Sequence, residues 1–282
     1  MFPELAANGE IHPLKPIKFP KYRTAKLPFR GELFPGINSI DFSSARSEQY
    51  PTPGQPPLLA AGDFASDMLR RDFSINALAL DLDPDRFGTV VDLTGGVDDI
   101  GRGSIRVLHR RSFIDDPARI IRACRFIARF GYRFDPETAE LAQQSLEQKA
   151  LATLPSFRLF DELKKALDEQ LAPQIVRILA DRGVLARIDP ILASGEHDIE
   201  LLQAARAAWE SRELDVINYS GKEGSKSPIE YWQMALGILY RRLGAVEYQN
   251  QLLQFGLTRG NASKLSLIRH LVFERILKIE LP

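Results

Sequence analysis

The chain has 282 residues, 44% hydrophobic and 26% charged, enough to bury a sizeable core and to build about two domains. Lysine plus arginine and aspartate plus glutamate both number 37, so the net charge is zero and any affinity for nucleic acid must come from local basic patches, not overall attraction. One cysteine, Cys124, excludes an internal disulfide, and with no charged-then-apolar leader or long apolar run the expectation is a reducing, cytoplasmic setting without a membrane partner.

Residues 1–30 are rich in proline and lysine, and residues 17–29 (IKFPKYRTAKLPF) alternate as a strand does. Lys15, Lys18, Lys21, Arg23, Lys26 and Arg30 are solubilising by default, with RNA contact as the functional alternative. After the turn signal Pro35-Gly36, residues 38–45 (NSIDFSSA) read as a second strand carrying Asp41. Residues 63–80 read as helical with a break near Asp72. In Arg70, Arg71, Asp72 and Asn76 the roles separate: guanidinium forks suit phosphate oxygens, while the aspartate and asparagine suit ribose hydroxyls or loop backbone. Asp81-Leu82-Asp83 reads as a loop between helix and strand, residues 87–93 (FGTVVDL) as a strand, and Gly95-Gly96 as a turn flanked by Asp92 and Asp99.

The next helix is well signalled. Asp116 is placed to cap it, Pro117 has no amide to lose at its first turn, and Gly131 ends it after Phe130. At about 100° per residue, Arg119, Arg122, Arg125, Arg129 and Arg133 fall within an arc of about 120°, while Ile120, Ala123, Phe126, Ile127 and Phe130 occupy most of the remainder. That face has no acidic partner at i+3 or i+4, so the arginines repel one another unless an anion sits among them, and a phosphate chain fits. Cys124 lies on the apolar side, as a buried structural thiol does. Beyond Pro136 the periodicity is helical throughout, interrupted by the polar run 219–228 (YSGKEGSKSP), read as a loop or short linker. Arg241, Arg242, Lys264 and Arg269 are solvated helix residues by default, with nucleic-acid contact as the alternative. Trp209 and Trp232 read as packing residues, and His197-Asp198 lacks the flanking pattern of a metal site.

The segments RRDFSINALAL, DLTGGVDDI and DDPARIIRACRFIARFGYRF resemble, in order and spacing, the second, third and fourth motifs of the bacterial tRNA nucleotidyltransferase and poly(A) polymerase family, class II. The adjoining SFRLFDELKKAL is similar to its neck-helix motif, and the resemblance spans roughly residues 19–171. It implies an α+β fold: a truncated nucleotidyltransferase head of the polymerase-β type over residues 1–110, a neck with the base-recognition helix over 111–172, and an all-α body over 173–282. It implies transfer of nucleotides from CTP and ATP to a tRNA 3′ end with Mg2+. The third catalytic carboxylate would be Asp41; Arg70, Arg71, Asp72 and Asn76 would contact ribose and triphosphate; Asp92 and Asp99 would fix the hinge between head and neck.

In the fourth motif, Asp116 and Arg119, with Asp115 beside them, would act as a protein-borne template, and Arg122 and Arg125 would orient them and the triphosphate. Cytosine and adenine each present an amino donor beside a ring-nitrogen acceptor, which an adjacent carboxylate and guanidinium can match; uracil and guanine put a carbonyl where the amino group would be. The family's Gly-Gly-x-Val-Arg-Asp phosphate loop and metal-holding Asp-x-Asp pair have no counterpart upstream of Asp41. The expectation is therefore a partial metal site, little transferase activity from this polypeptide alone, and a separate chain as one source of the missing carboxylates. Poly(A) polymerase, or an enzyme adding only C or only A, is the neighbouring alternative; a non-catalytic nucleotide- or RNA-binding remnant is the alternative of another class.

Overall fold

A computed structural model describes residues 12–30, 37–211, 219–220, 226–227 and 229–277. Contacts divide the chain into two compact units, Met1–Pro51 with Pro57–Arg71, and Thr52–Pro56 with Asp72–Pro282.

The first unit is built on strands. β1 (His12–Pro13) and β2 (Ile17–Phe19) pair antiparallel with the two ends of β3 (Thr24–Arg30), and β4 (Ser39–Ser43) pairs along the other side of β3. Residues 17–29 thus form two strands, not the one expected. Pro20 starts a 3-10 turn at Pro20–Tyr22 because it fixes φ and offers no ladder donor, and Arg23, at φ 52°, turns the chain back. The register sets Asp41 opposite Lys26. β5 (Arg46–Gln49) and β6 (Leu58–Ala61) form a second antiparallel pair, and α1 (Phe64–Leu69) follows, capped by Asp63, whose carboxylate accepts from the Ser66 amide at 2.8 Å. The Pro35-Gly36 turn signal and the Lys21 side chain lie outside the described residues.

In the second unit the helix expected to continue to Leu80 gives way to a 3-10 turn (Ser74–Asn76) and a strand, β7 (Leu78–Leu80), paired antiparallel with β8 (Val90–Asp92). A three-residue Leu-Ala-Leu run is compatible with either period, and the strand partner decides it. Asp81–Asp83 consequently joins two strands, where a helix and a strand were expected, and its carboxylates are spent on the turn: Asp81 Oδ1 accepts from the Asp83 amide at 2.9 Å and Asp83 Oδ1 from the Asp85 amide at 3.1 Å.

Next come α2 (Gly96–Arg102), β9 (Ser104–Ile105), α3 (Ser112–Asp115), α4 (Ala118–Phe130) and β10 (Arg133–Phe134), with β9 and β10 parallel. The rest is helical: α5 (Pro136–Glu147), α6 (Ser156–Asp168), α7 (Ala172–Asp181), α8 (Val184–Ile188), α9 (Glu196–Glu210), α10 (Tyr231–Leu239), α11 (Ala245–Gln254) and α12 (Arg259–Val272). Within the polar run, Tyr219–Ser220 pairs with Lys226–Ser227, and its remaining residues, Ile229 onwards excepted, lie outside the described ones. The α+β class read from the sequence holds.

The core of this unit runs from Ile120, Ile121 and Cys124 on α4 through Leu163 and Leu167 on α6, Ile175 and Leu179 on α7 and Leu202 on α9, all fully buried, to Leu236 on α10 and Ile268 on α12. Each such side chain contributes about 1.5–3 kcal/mol by leaving water, so α4 is held along the first half of its apolar face, while Phe126 and Ile127 are partly buried and Phe130 is exposed. Burial pushes the Cys124 thiol up to about 12, which leaves it an inert core group, as its position on the helix implied. Among the described residues no helix is long and apolar enough to cross a membrane.

Candidate nucleotide site around the arginine helix

Helix α4 ends as expected, on Gly131 in the left-handed region at φ 67° with its amide bonded to the Ile127 carbonyl. Its start differs. Asp116 does not cap it with its side chain; only its carbonyl takes part, accepting from the Arg119 amide at 3.1 Å. The carboxylate turns to α6, where both oxygens lie 3.1 Å from Arg158 Nη2. A charged donor outcompetes backbone amides for that carboxylate.

Arg119 is only 4% exposed, and its Nη1 donates to Ser112 Oγ at 2.7 Å. Asp115, also buried, accepts from Arg111 Nη2 at 3.0 Å and faces His109 Nδ1 at 4.0 Å, and its carbonyl receives the Gly54 amide at 3.1 Å. Burial and the nearby Arg119 charge hold the His109 pKa below the ordinary imidazole value, against the pull of Asp115.

One turn on, Asp72 gathers Asn76 and Arg122. Its Oδ1 accepts from the Phe73 amide and Asn76 Nδ2, each at 2.9 Å, and its Oδ2 accepts from Arg122 Nε at 2.9 Å and Nη2 at 2.6 Å. Burial opposes the Arg122 charge, but Asp72 beside it more than compensates and raises its pKa. Arg125 donates to Glu169 at 2.6 Å and to Glu162 at 3.2 Å, and Arg129 lies 3.0 Å from Glu169.

These contacts correct the inference of an arginine stripe waiting for a polyanion. The counter-charges exist, but they come from Asp72, Glu162 and Glu169, far away in sequence, so i+3 and i+4 spacing could not reveal them. The sequence reading also missed Arg158, Glu162 and Glu169 as members of the cluster. The signal for the first two lay in SFRLFDELKKAL, where Arg158 and Glu162 stand one helical turn apart.

Arg70 and Arg71 belong to the first unit. Arg70 donates to Glu48 at 2.9 Å and to Asp67 at 2.7 Å, and Arg71 Nη2 lies 3.3 Å from Asp67. Arg46 also reaches Glu48, at 3.2 Å. Burial works against the Asp67 charge, yet its bonds with Arg70 prevail and lower its pKa. Asp67 was not singled out in the sequence, although it sits at i−3 and i−4 to the two arginines. Asp41 stands apart, its side chain 71% exposed and 3.8 Å from Lys26 Nζ. Among the described residues no three side chains of metal-binding type converge. One exposed carboxylate already facing a lysine does not fit a two-metal site by itself.

Asp92 and Asp99 stiffen the Gly95-Gly96 turn. Asp92 accepts from the amides of Val97 at 2.9 Å, Thr94 at 3.0 Å and Gly96 at 3.0 Å, and these bonds, the Val97 one foremost, bring its pKa down to about 2. Asp99 takes Ser74 Oγ at 2.6 Å and Arg106 Nε at 2.8 Å.

A strand-rich first part, a helical remainder and a carboxylate–guanidinium cluster at the head of α4 are set beside known proteins as follows. Residues 16–106 match the poly(A) polymerase head domain. The A-adding tRNA nucleotidyltransferase of Aquifex aeolicus (strain VF5) is 34% identical over 233 residues, 83% of this chain and 26% of that protein. The CC-adding tRNA nucleotidyltransferase of Deinococcus radiodurans is 39% identical over 149 residues, 53% of this chain and 39% of that protein. A CCA-adding enzyme in its apo form II superposes with a TM-score of 0.74 at 28% identity, covering 98% of this chain and 62% of that one. Residues 16–106 thus carry a poly(A) polymerase head domain, and the chain is similar to tRNA nucleotidyltransferases beyond it. It spans about a quarter to two fifths of the length of these two relatives.

Proposed function

We propose that this chain serves in adding nucleotides to tRNA 3′ ends, taking CTP and ATP as in CCA addition, in the cytoplasm and with Mg2+. Family nucleotidyltransferases use divalent metals generally; here Asp41 would contribute one ligand, and the other carboxylates would come from a further segment or a separate chain. In this reading residues 1–110 are head, 111–172 neck and 173–282 body.

The observation that carries the reading is the fixed carboxylate of Asp116 at the head of a helix whose buried face is the core of the unit. Each oxygen keeps a lone pair beyond its bond to Arg158, so Asp116 can accept the amino group of cytosine or adenine. Arg119 is the guanidinium donor on the same turn, and Arg122 and Arg125 orient the helix through Asp72, Glu162 and Glu169. Arg70, Arg71, Asp72 and Asn76 serve the ribose and triphosphate; Asp115 supports the turn. A carbonyl in place of the amino group, as in uracil or guanine, costs on the order of 1–3 kcal/mol against that carboxylate.

The test uses purified chain, tRNA lacking its 3′ end, Mg2+ and labelled nucleotides. The chain alone is expected to incorporate little and to bind CTP and ATP in preference to UTP and GTP. Asp116→Asn and Arg119→Ala are expected to lower that preference, and an unchanged preference in both refutes the template. The isolation of Asp41 favours one second reading, a nucleotide- or RNA-binding protein without catalysis. Robust incorporation by the chain alone refutes it; incorporation of C only, or of A without limit, points to the neighbouring enzymes.

A further inference from the structure

The helical part of the second unit holds a buried guanidinium with no carboxylate beside it among the described residues. Arg269 on α12 is 2% exposed. Its Nη2 donates to the carbonyls of Arg241, at 3.2 Å, and Leu243, which lie in the turn between α10 and α11. Its Nε is buried and meets no acceptor among the described residues. The guanidinium carbon lies 4.9 Å from the centre of the Tyr248 ring, and the Tyr248 hydroxyl is likewise buried without a partner.

The neighbouring arginines are treated differently. Arg241 and Arg242 both pair with Asp198, and Arg177 pairs with Glu196 at 2.6 Å. For Arg269, burial without counter-charge holds the pKa below the ordinary arginine value, and the one ionisable neighbour acting against this is Tyr248, whose own pKa burial raises. An uncompensated buried charge is costly, so a fold that keeps one keeps it where something else meets it.

Beside Arg269 runs a groove of about 390 Å³ between α11 and α12, lined by Ala245, Gln249, Ser263, Ser266, Arg269 and His270. Ala245 is the first residue of α11, so one end of the groove is the N-terminus of a ten-residue helix, with its unpaired amides and partial positive charge. The lining offers hydroxyl, amide, imidazole and guanidinium groups and no carboxylate. The acids close by are engaged: Glu247 with the Gly244 amide at 3.0 Å and Glu274 with His270 at 3.2 Å.

We propose that this groove binds a phosphate group, with Arg269 and the start of α11 supplying the positive charge and Ser263 and Ser266 the hydroxyl donors. The site goes beyond nucleotide transfer and does not depend on it. Its natural source is either a phosphodiester of an RNA strand or free phosphate.

The experiment uses the full chain at constant ionic strength, with isothermal titration of inorganic phosphate and, separately, of an RNA hairpin with a single-stranded 3′ end. Arg269→Gln removes the caps on the Arg241 and Leu243 carbonyls and can unfold the region, so the decisive variant is Ser266→Glu, which brings a carboxylate into the groove as an internal counter-charge. Wild type is expected to bind phosphate saturably and to gain melting temperature in its presence. Ser266→Glu is expected to melt higher than wild type without phosphate and to lose about tenfold or more of its phosphate affinity. A parallel tenfold loss for the RNA assigns a phosphodiester, and an RNA affinity that does not change assigns free phosphate. Absence of saturable phosphate binding, or binding that Ser266→Glu leaves intact, overturns the proposal.

Discussion

Arg122→Ala tests whether the arginines of α4 are locked by protein carboxylates. The substitution strips Asp72 Oδ2 of donors at 2.9 and 2.6 Å and leaves Oδ1 with the Phe73 amide and Asn76. Removing one partner of a fully buried ion pair costs about 3–5 kcal/mol; here the Arg122 and Asp72 side chains are 34% and 11% exposed, and water reaching the orphaned carboxylate brings the expected loss to about 2 kcal/mol. For a chain of this size that lowers the melting temperature by roughly 4–8 °C. Urea denaturation at pH 7 of wild type, Arg122→Ala, Asp72→Ala and the double variant measures it, with an expected coupling of about 1–2 kcal/mol. A loss below about 0.5 kcal/mol, with strictly additive single variants, refutes the pairing as a structural lock. It would mean that Arg122 is held in readiness for a ligand.

Cys124 is expected to resist thiol reagents in the folded protein and to react at a rate that follows unfolding in urea; rapid native-state labelling would contradict its burial. Gly54→Ala should destabilise the second unit by about 2–3 kcal/mol, because φ is +71° and a Cβ would stand 2.2 Å from Thr153 Oγ1 and 2.8 Å from its carbonyl carbon, a loss readable by calorimetry. The carboxyl of Asp92, lowered to about 2 when folded and ordinary at about 4 when unfolded, stabilises fully above that unfolded value. Its contribution is lost as pH falls from about 4 through 2, so Asp92→Asn should make the acid limb shallower in that window, read as the urea midpoint against pH; an unchanged slope contradicts the role of these bonds.

What the sequence made legible was local. The span and end of α4 follow from 3.6-residue periodicity and from Gly131, and the helical run beyond Pro136 follows from the same periodicity. The motif order carried the family resemblance, and Asp72 and Asn76, singled out together, share a hydrogen bond. What stayed hidden was tertiary. Asp116 reads as a cap until Arg158, on another helix, claims its carboxylate. Arg119 reads as one of an exposed stripe, yet it is buried against Ser112. Leu78–Leu80 is too short to reveal its period without Val90–Asp92 beside it.

Glu169 stands just past the C-terminal end of α6. Its carboxylate engages Arg125 and Arg129 of α4, and its carbonyl receives Arg206 of α9. One residue therefore rivets three helices at a chain crossing. Arg206 on α9 and the second half of α4 thus share one anchoring residue, so a substitution at Glu169 loosens both at once.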